Sequence, residues 1–238
     1  MRIDLRVLPL LLAVAIAPLG AQSEGDAAAY FSLLETPPGA LPPLLSPAML
    51  GRIVTTPSIG GQFGHISAGN TSVNAFAATL GVPAGTKAMV GVTAGYQTFD
   101  CTDCKGHFLA GLNAEGRLTS SMLGTGADAA EITVGLNGAF GYAHPSGGNL
   151  VTLTAGLPVA LVSGGPTLKV APFLTPGLGW GRASSDAGGS SSGTRFMLGG
   201  GIALQSTTRP LAANFGFQKI FINNGDAMFG VNVTYAIR

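Results

Sequence analysis

From residue 58 to the end of the chain, large apolar side chains and small or polar ones alternate almost one for one. Over 131–142, one set of positions holds Ile132, Val134, Leu136, Gly138, Phe140 and Tyr142, and the other holds Thr133, Gly135, Asn137, Ala139 and Gly141. A period of two is the mark of a β-strand, whose successive side chains point to opposite faces. The pattern recurs over 87–98, where Ala88, Val90, Val92, Ala94 and Tyr96 oppose Met89, Gly91, Thr93, Gly95 and Gln97. It recurs over 107–119, where Phe108, Ala110, Leu112, Ala114 and Leu118 oppose Gly111, Asn113, Glu115 and Arg117. The last stretch sets Phe229, Val231, Val233, Tyr235 and Ile237 against Met228, Gly230, Asn232, Thr234 and Ala236. Further strands are expected near 58–67, 71–82, 149–162, 167–181, 194–205 and 210–221. The glycines Gly60, Gly61 and Gly64 make the first of these the weakest. The count is ten strands, with eight as the alternative, and most are long enough to cross a bilayer at a tilt.

Turn chemistry separates the strands. Val82-Pro83-Ala84-Gly85, Pro145-Ser146-Gly147-Gly148, Ser163-Gly164-Gly165-Pro166 and Asn223-Asn224-Gly225-Asp226 all carry residues that bend the backbone. Short turns between successive strands predict an up-and-down antiparallel meander. The Ser- and Gly-rich stretch 183–193 reads as a flexible polar loop on the outer side, and 120–130 as a long connection on the opposite side.

Composition decides what the two faces meet. Charged residues are 10% of the chain, while apolar residues are 46% and 37 residues are glycine. A soluble sheet shows Lys and Glu to water and hides its large apolar face. Here the second face is Gly, Ala, Thr and Asn. After the N-terminus no apolar run is long enough for a transmembrane helix. The solution left for a membrane is a closed barrel, with large residues toward lipid and small polar ones toward a narrow lumen. The fold class is therefore all-β, an up-and-down antiparallel transmembrane β-barrel of 8–10 strands, ten favoured, over residues 58–238.

The N-terminus adds a destination. Arg2 and Arg6 precede an apolar run from Val7 to Ala17, and Leu19-Gly20-Ala21 offers a small-residue cleavage site, so residues 1–21 read as a secretory signal peptide. Its removal takes two of the 12 basic and one of the 11 acidic residues, leaving a formal net charge of zero. No basic patch points to nucleic acid. Residues 22–57 form a Pro-rich segment, with Pro37, Pro38, Pro42, Pro43, Pro47 and Pro57 breaking any long element.

Sparse charges and aromatics supply the site candidates. Glu115, Arg117, Lys169 and Arg195 fall on the small-residue face and are expected to form a charge cluster in the lumen. Tyr96, Tyr142, Trp180 and Phe221 fall near outer strand ends, as an aromatic girdle requires. Lys219 alternates with Phe215, Phe217 and Phe221 on the apolar face, near enough to a strand end for its ammonium to reach the headgroups. Cys101 and Cys104, in an exported chain, read as a disulfide that shapes a loop tip. A metal reading would add His107 and an aspartate. No catalytic residues, metal or cofactor are assigned. The best pair for a nucleophilic mechanism is His107 with Asp100 or Asp103. Gly199-Gly200-Gly201 lacks the Lys-Ser/Thr of a phosphate loop and reads as close backbone packing in a strand.

With these strands, the girdle and the amphipathic final segment Phe229, Val231, Val233 and Tyr235, the chain resembles the small outer-membrane β-barrel families of diderm bacteria. Those families often close on an aromatic residue, whereas this chain closes on Arg238. The resemblance implies an outer-membrane location, contact with outer-membrane lipid and lipopolysaccharide, and insertion by the barrel assembly machinery. A monomer is expected. Members include adhesins, anchors, narrow pores and a few lipid-modifying enzymes, so fold alone does not set function. The expected role is structural or surface-interacting, or that of a narrow passive pore. The alternatives are a lipid-modifying hydrolase or acyltransferase, and a secreted soluble β-barrel.

Overall fold

The structure, a computed structural model, describes residues 56–68, 71–100, 106–125, 129–144, 148–186, 188–221 and 227–237. Eleven strand segments follow one another: β1 (Ser58–Ala68), β2 (Thr71–Pro83), β3 (Ala88–Asp100), β4 (His107–Leu123), β5 (Ala130–Ala143), β6 (Gly148–Gly156), β7 (Val159–Gly164), β8 (Leu168–Ser185), β9 (Ser190–Ser206), β10 (Leu211–Ile220) and β11 (Ala227–Ala236). Each traverse pairs antiparallel with the next, and β1 pairs with β11, so the sheet has no free edge. The fold is a closed up-and-down barrel of ten strands. Ser58 opposite Ala236 puts the first and last strands on one rim, called here the near rim. The other is the far rim.

Ten traverses arise from eleven segments because β6 and β7 form a single crossing. Both pair with β5 and β8 in one continuous register. Pro158 interrupts them, since it has no N–H for the ladder. Its carbonyl still accepts from the Gly135 N–H at 2.8 Å, and the Leu157 N–H donates to the Pro176 carbonyl at 2.9 Å.

Two connections differ from the sequence reading. The stretch 120–130 is not a long loop: β4 continues to Leu123 and β5 starts at Ala130, with Ser120 facing Thr133 and Met122 facing Glu131. A register shift between Arg117 and Thr119 leaves Leu118 as an extra residue. Such a bulge breaks strict alternation, which is why the segment reads as irregular. The stretch 183–193 is likewise a hairpin, with Ala183 facing Ser191 and Ser184 facing Ser190. Gly188 and Gly189 take φ near +100° at its tip, a conformation that favours glycine. Small polar side chains there leave the backbone ladder intact.

The barrel is apolar outside and polar inside. Phe108 is 79% exposed and Phe229 59%, both on the outer surface. Gln97, Gln205, Asn214, Thr133 and Thr175 are among the most deeply buried side chains. Apolar interior residues are mostly small. One cluster, Ala160, Val162, Ala171, Phe173 and Ala203, fills part of the near half. Another, Ala75, Leu109, Ala143, Leu150 and Ala183, lies toward the far rim.

Candidate functional site

The lumen is lined by hydroxyl and amide side chains that alternate with the outward apolar ones. Gln62 Nε2 donates to Thr79 Oγ1 at 2.8 Å, and Thr79 and Thr93 share a hydroxyl hydrogen bond of 3.1 Å. These bonds tie β1, β2 and β3 together across the inner face. Thr234 Oγ1 donates to Asn232 Oδ1 at 2.8 Å on β11.

Glu115, Arg117, Lys169 and Arg195 stand on three strands, β4, β8 and β9. Lys169 lies on β8 near the near rim, opposite Gln205. Arg195 lies toward the far rim, opposite Gly179, and its Nη1 donates to the Thr194 carbonyl at 2.9 Å. Ten positions of β9 separate Arg195 from Gln205, roughly 33 Å of strand. Glu115 is buried opposite Met89 on β3. Arg117 Nη1 is 3.8 Å from Oε1 of Glu131 on the neighbouring strand. Glu131 was not among the residues singled out from sequence. The alternation of 131–142 carried the signal, because it puts residue 131 on the inner face with Thr133. Both side chains keep partial water contact, at 19% and 24% exposure, so neither charge is fully desolvated.

The aromatic candidates all stand on the outer face toward the far rim. Tyr96, Tyr142, Trp180 and Phe221 are 36–48% exposed. Tyr96 meets Phe108 edge-on, with ring centroids 5.2 Å apart, and Phe221 meets Phe196 at 5.4 Å. Lys219 is exposed on the same face of β10.

The histidines lie apart. His65, on β1, shares a 2.8 Å hydrogen bond with Asn74 Oδ1. His144, beyond β5, shares one of 2.9 Å with Asn149 Oδ1. His107 is buried on the inner face opposite Gln97. Asp100 is exposed three positions past Gln97, on the opposite face of β3 from the side His107 takes, so these two do not form an acid–base pair. Cys101, Asp103 and Cys104 lie outside the described residues, as do the signal segment and 22–55. Among the described residues no group of three His, Cys, Asp or Glu side chains could hold a metal ion.

A closed sheet with an apolar exterior and a polar lumen defines a membrane-spanning β-barrel, which satisfies every backbone group without water. Its solved likenesses are outer-membrane barrels. The N-terminal β-barrel domain of Pseudomonas aeruginosa OprF is 17% identical, covering 77% of this chain and 98% of its own, with a TM-score of 0.38. The outer-membrane enzyme PagL is 10% identical, covering 76% and 99%, with a TM-score of 0.41. Ail, the attachment invasion locus protein of Yersinia pestis, is 15% identical, covering 76% and 97%, with a TM-score of 0.29. No family model and no curated protein matches the chain. At these values the barrel is established by the chain's own strand pairing, and no role passes from one protein to the other.

Proposed function

We propose that this protein is a non-enzymatic outer-membrane barrel, exported by way of residues 1–21, whose lumen is packed shut and whose role is structural or surface-interacting. The observation that supports this reading is the burial of the near half of the lumen. Thr133, Thr175, Ala171, Ala203 and Gln205 have no solvent exposure, and Phe173 projects among them. A lumen that excludes water along these walls carries no wide aqueous path.

The test is planar-bilayer conductance of the purified full chain. The expected trace is flat. Ohmic steps would overturn the sealed version in favour of a narrow passive pore, which the partial water contact of Arg117 and Glu131 would then serve. The enzymatic alternative makes a separate demand: expression changes lipopolysaccharide acylation, and His107→Ala abolishes the change. The expected result is an unchanged lipid profile.

A further inference from the structure

On the outer face at the far rim, just beyond Tyr142 and Trp180, hydrogen-bond polarity singles out a cluster on β5, β6 and β8. Asn149 Oδ1 accepts from the Tyr142 hydroxyl at 2.7 Å and is 2.9 Å from His144 Nδ1. An amide oxygen only accepts, so His144 donates its Nδ1 hydrogen. Two donors on the oxygen fix the amide and leave its NH₂ as the group presented outward. Asn149 faces Ser184 on β8, and Arg182 stands two positions away on the same face. Such diagonal neighbours are about 7–8 Å apart, within reach of one ligand. Among the described residues the Arg182 guanidinium meets the Ser190 hydroxyl at 3.5 Å and no carboxylate. The carboxylate closest along β8 is Asp186, at the hairpin tip. Arg182 and the Asn149 amide therefore present donors, and His144 holds that amide in place.

We infer that Arg182, Asn149 and His144 form a docking site for a phosphate monoester on the lipid anchor of lipopolysaccharide. The inference rests on the outer-membrane reading, which places the far rim in the outer leaflet. Two features favour a lipid over a free anion. The donors lie on the lipid-facing side of the sheet, and Trp180, two residues before Arg182, flanks them where acyl chains begin. The Arg182 fork can engage two oxygens of a monoester, whose charge, close to −2, attracts it more strongly than the single charge of a phospholipid diester.

The full chain is refolded in phosphatidylcholine vesicles, and binding is followed through Trp180, the chain's one tryptophan. The probes are bis-phosphorylated lipid A, its monophosphoryl form, phosphatidylglycerol and inorganic phosphate. Bis-phosphorylated lipid A is expected to shift the emission, with Arg182→Ala and Asn149→Leu each weakening it about tenfold and Arg182→Lys falling between, because a point charge replaces a fork. Lys219→Ala, a cation elsewhere on the exterior, is expected to leave binding unchanged. Equal loss in Lys219→Ala, or equal binding of phosphatidylglycerol, would overturn the site in favour of general anion attraction. Saturation by inorganic phosphate would overturn it in favour of a free-anion site. Retained mobility change on boiling in SDS confirms that each variant is folded. A barrel found in the outer membrane that ignores lipid A overturns this site alone, whereas a chain found outside that membrane overturns the reading beneath it.

Discussion

Single residues in this barrel are judged by which side of the sheet they face and how near the next strand runs. Gly61 and Gly201 show the contrast. A Cβ on Gly61 would meet nothing within 4 Å, and its neighbours across the ladder, Val233 and Ala78, belong to the apolar exterior. A Cβ on Gly201 would run into the Phe215 carbonyl oxygen and come within 2.7 Å of the Gly216 Cα. Gly61→Val is therefore expected to raise stability by roughly 0.5–1 kcal/mol, through strand preference and a less flexible unfolded chain. Gly201→Val is expected to cost about 2 kcal/mol or more, because backbone must move. Urea unfolding in lipid vesicles checks both. The run Gly199-Gly200-Gly201 was legible in the sequence as close strand packing, and the approach of β10 supplies the physical reason. The Arg117–Glu131 pair was half legible: alternation fixed both faces, but the partner strand and the bulge at Leu118 decide which acid arrives.

At the scale of elements, alternation marked all ten crossings, and the errors fell where alternation stops. Residues 120–123 read as connection because the bulge shifts the face of everything after it. The serines of 183–193 read as a loop because a ladder needs only backbone groups, which side-chain polarity does not report. Pro158 is the remaining break, and it can be tested. Pro158→Ala restores an N–H opposite Gly135, worth about 1 kcal/mol if it joins the ladder. The lost proline gives back chain entropy to the unfolded state, roughly 0.4–1 kcal/mol in the other direction. Net stability is thus expected to change by less than about 1 kcal/mol, while amide exchange across 157–159 slows as β6 and β7 merge. Unchanged exchange would mean that the inner-face packing around residue 158, and not the missing N–H, holds the bend.

For the whole molecule the decisive question is what the exterior meets, and the sequence answered it by an absence. Strands this apolar on one face, with so little charge on the other, have no side to offer water. The closure of β1 on β11 completes the argument, since a sheet without edges is what a bilayer requires. The prediction that follows depends on depth. Leu112 lies midway between His107 and Arg117 on β4, opposite Val92 and Phe140, and is 56% exposed on the outer face. Leu211 opens β10 at the near rim, opposite Tyr235. If lipid covers the exterior, Leu112→Arg costs about 2–4 kcal/mol, because the guanidinium sits near the bilayer midplane. Leu211→Arg costs about 0–1 kcal/mol, because its charge reaches the headgroups. Both variants are compared by denaturant titration in vesicles. If water covered the exterior, an arginine would be as welcome at 112 as at 211, and two equally small costs would leave the apolar face without its solvent and the membrane reading without its support.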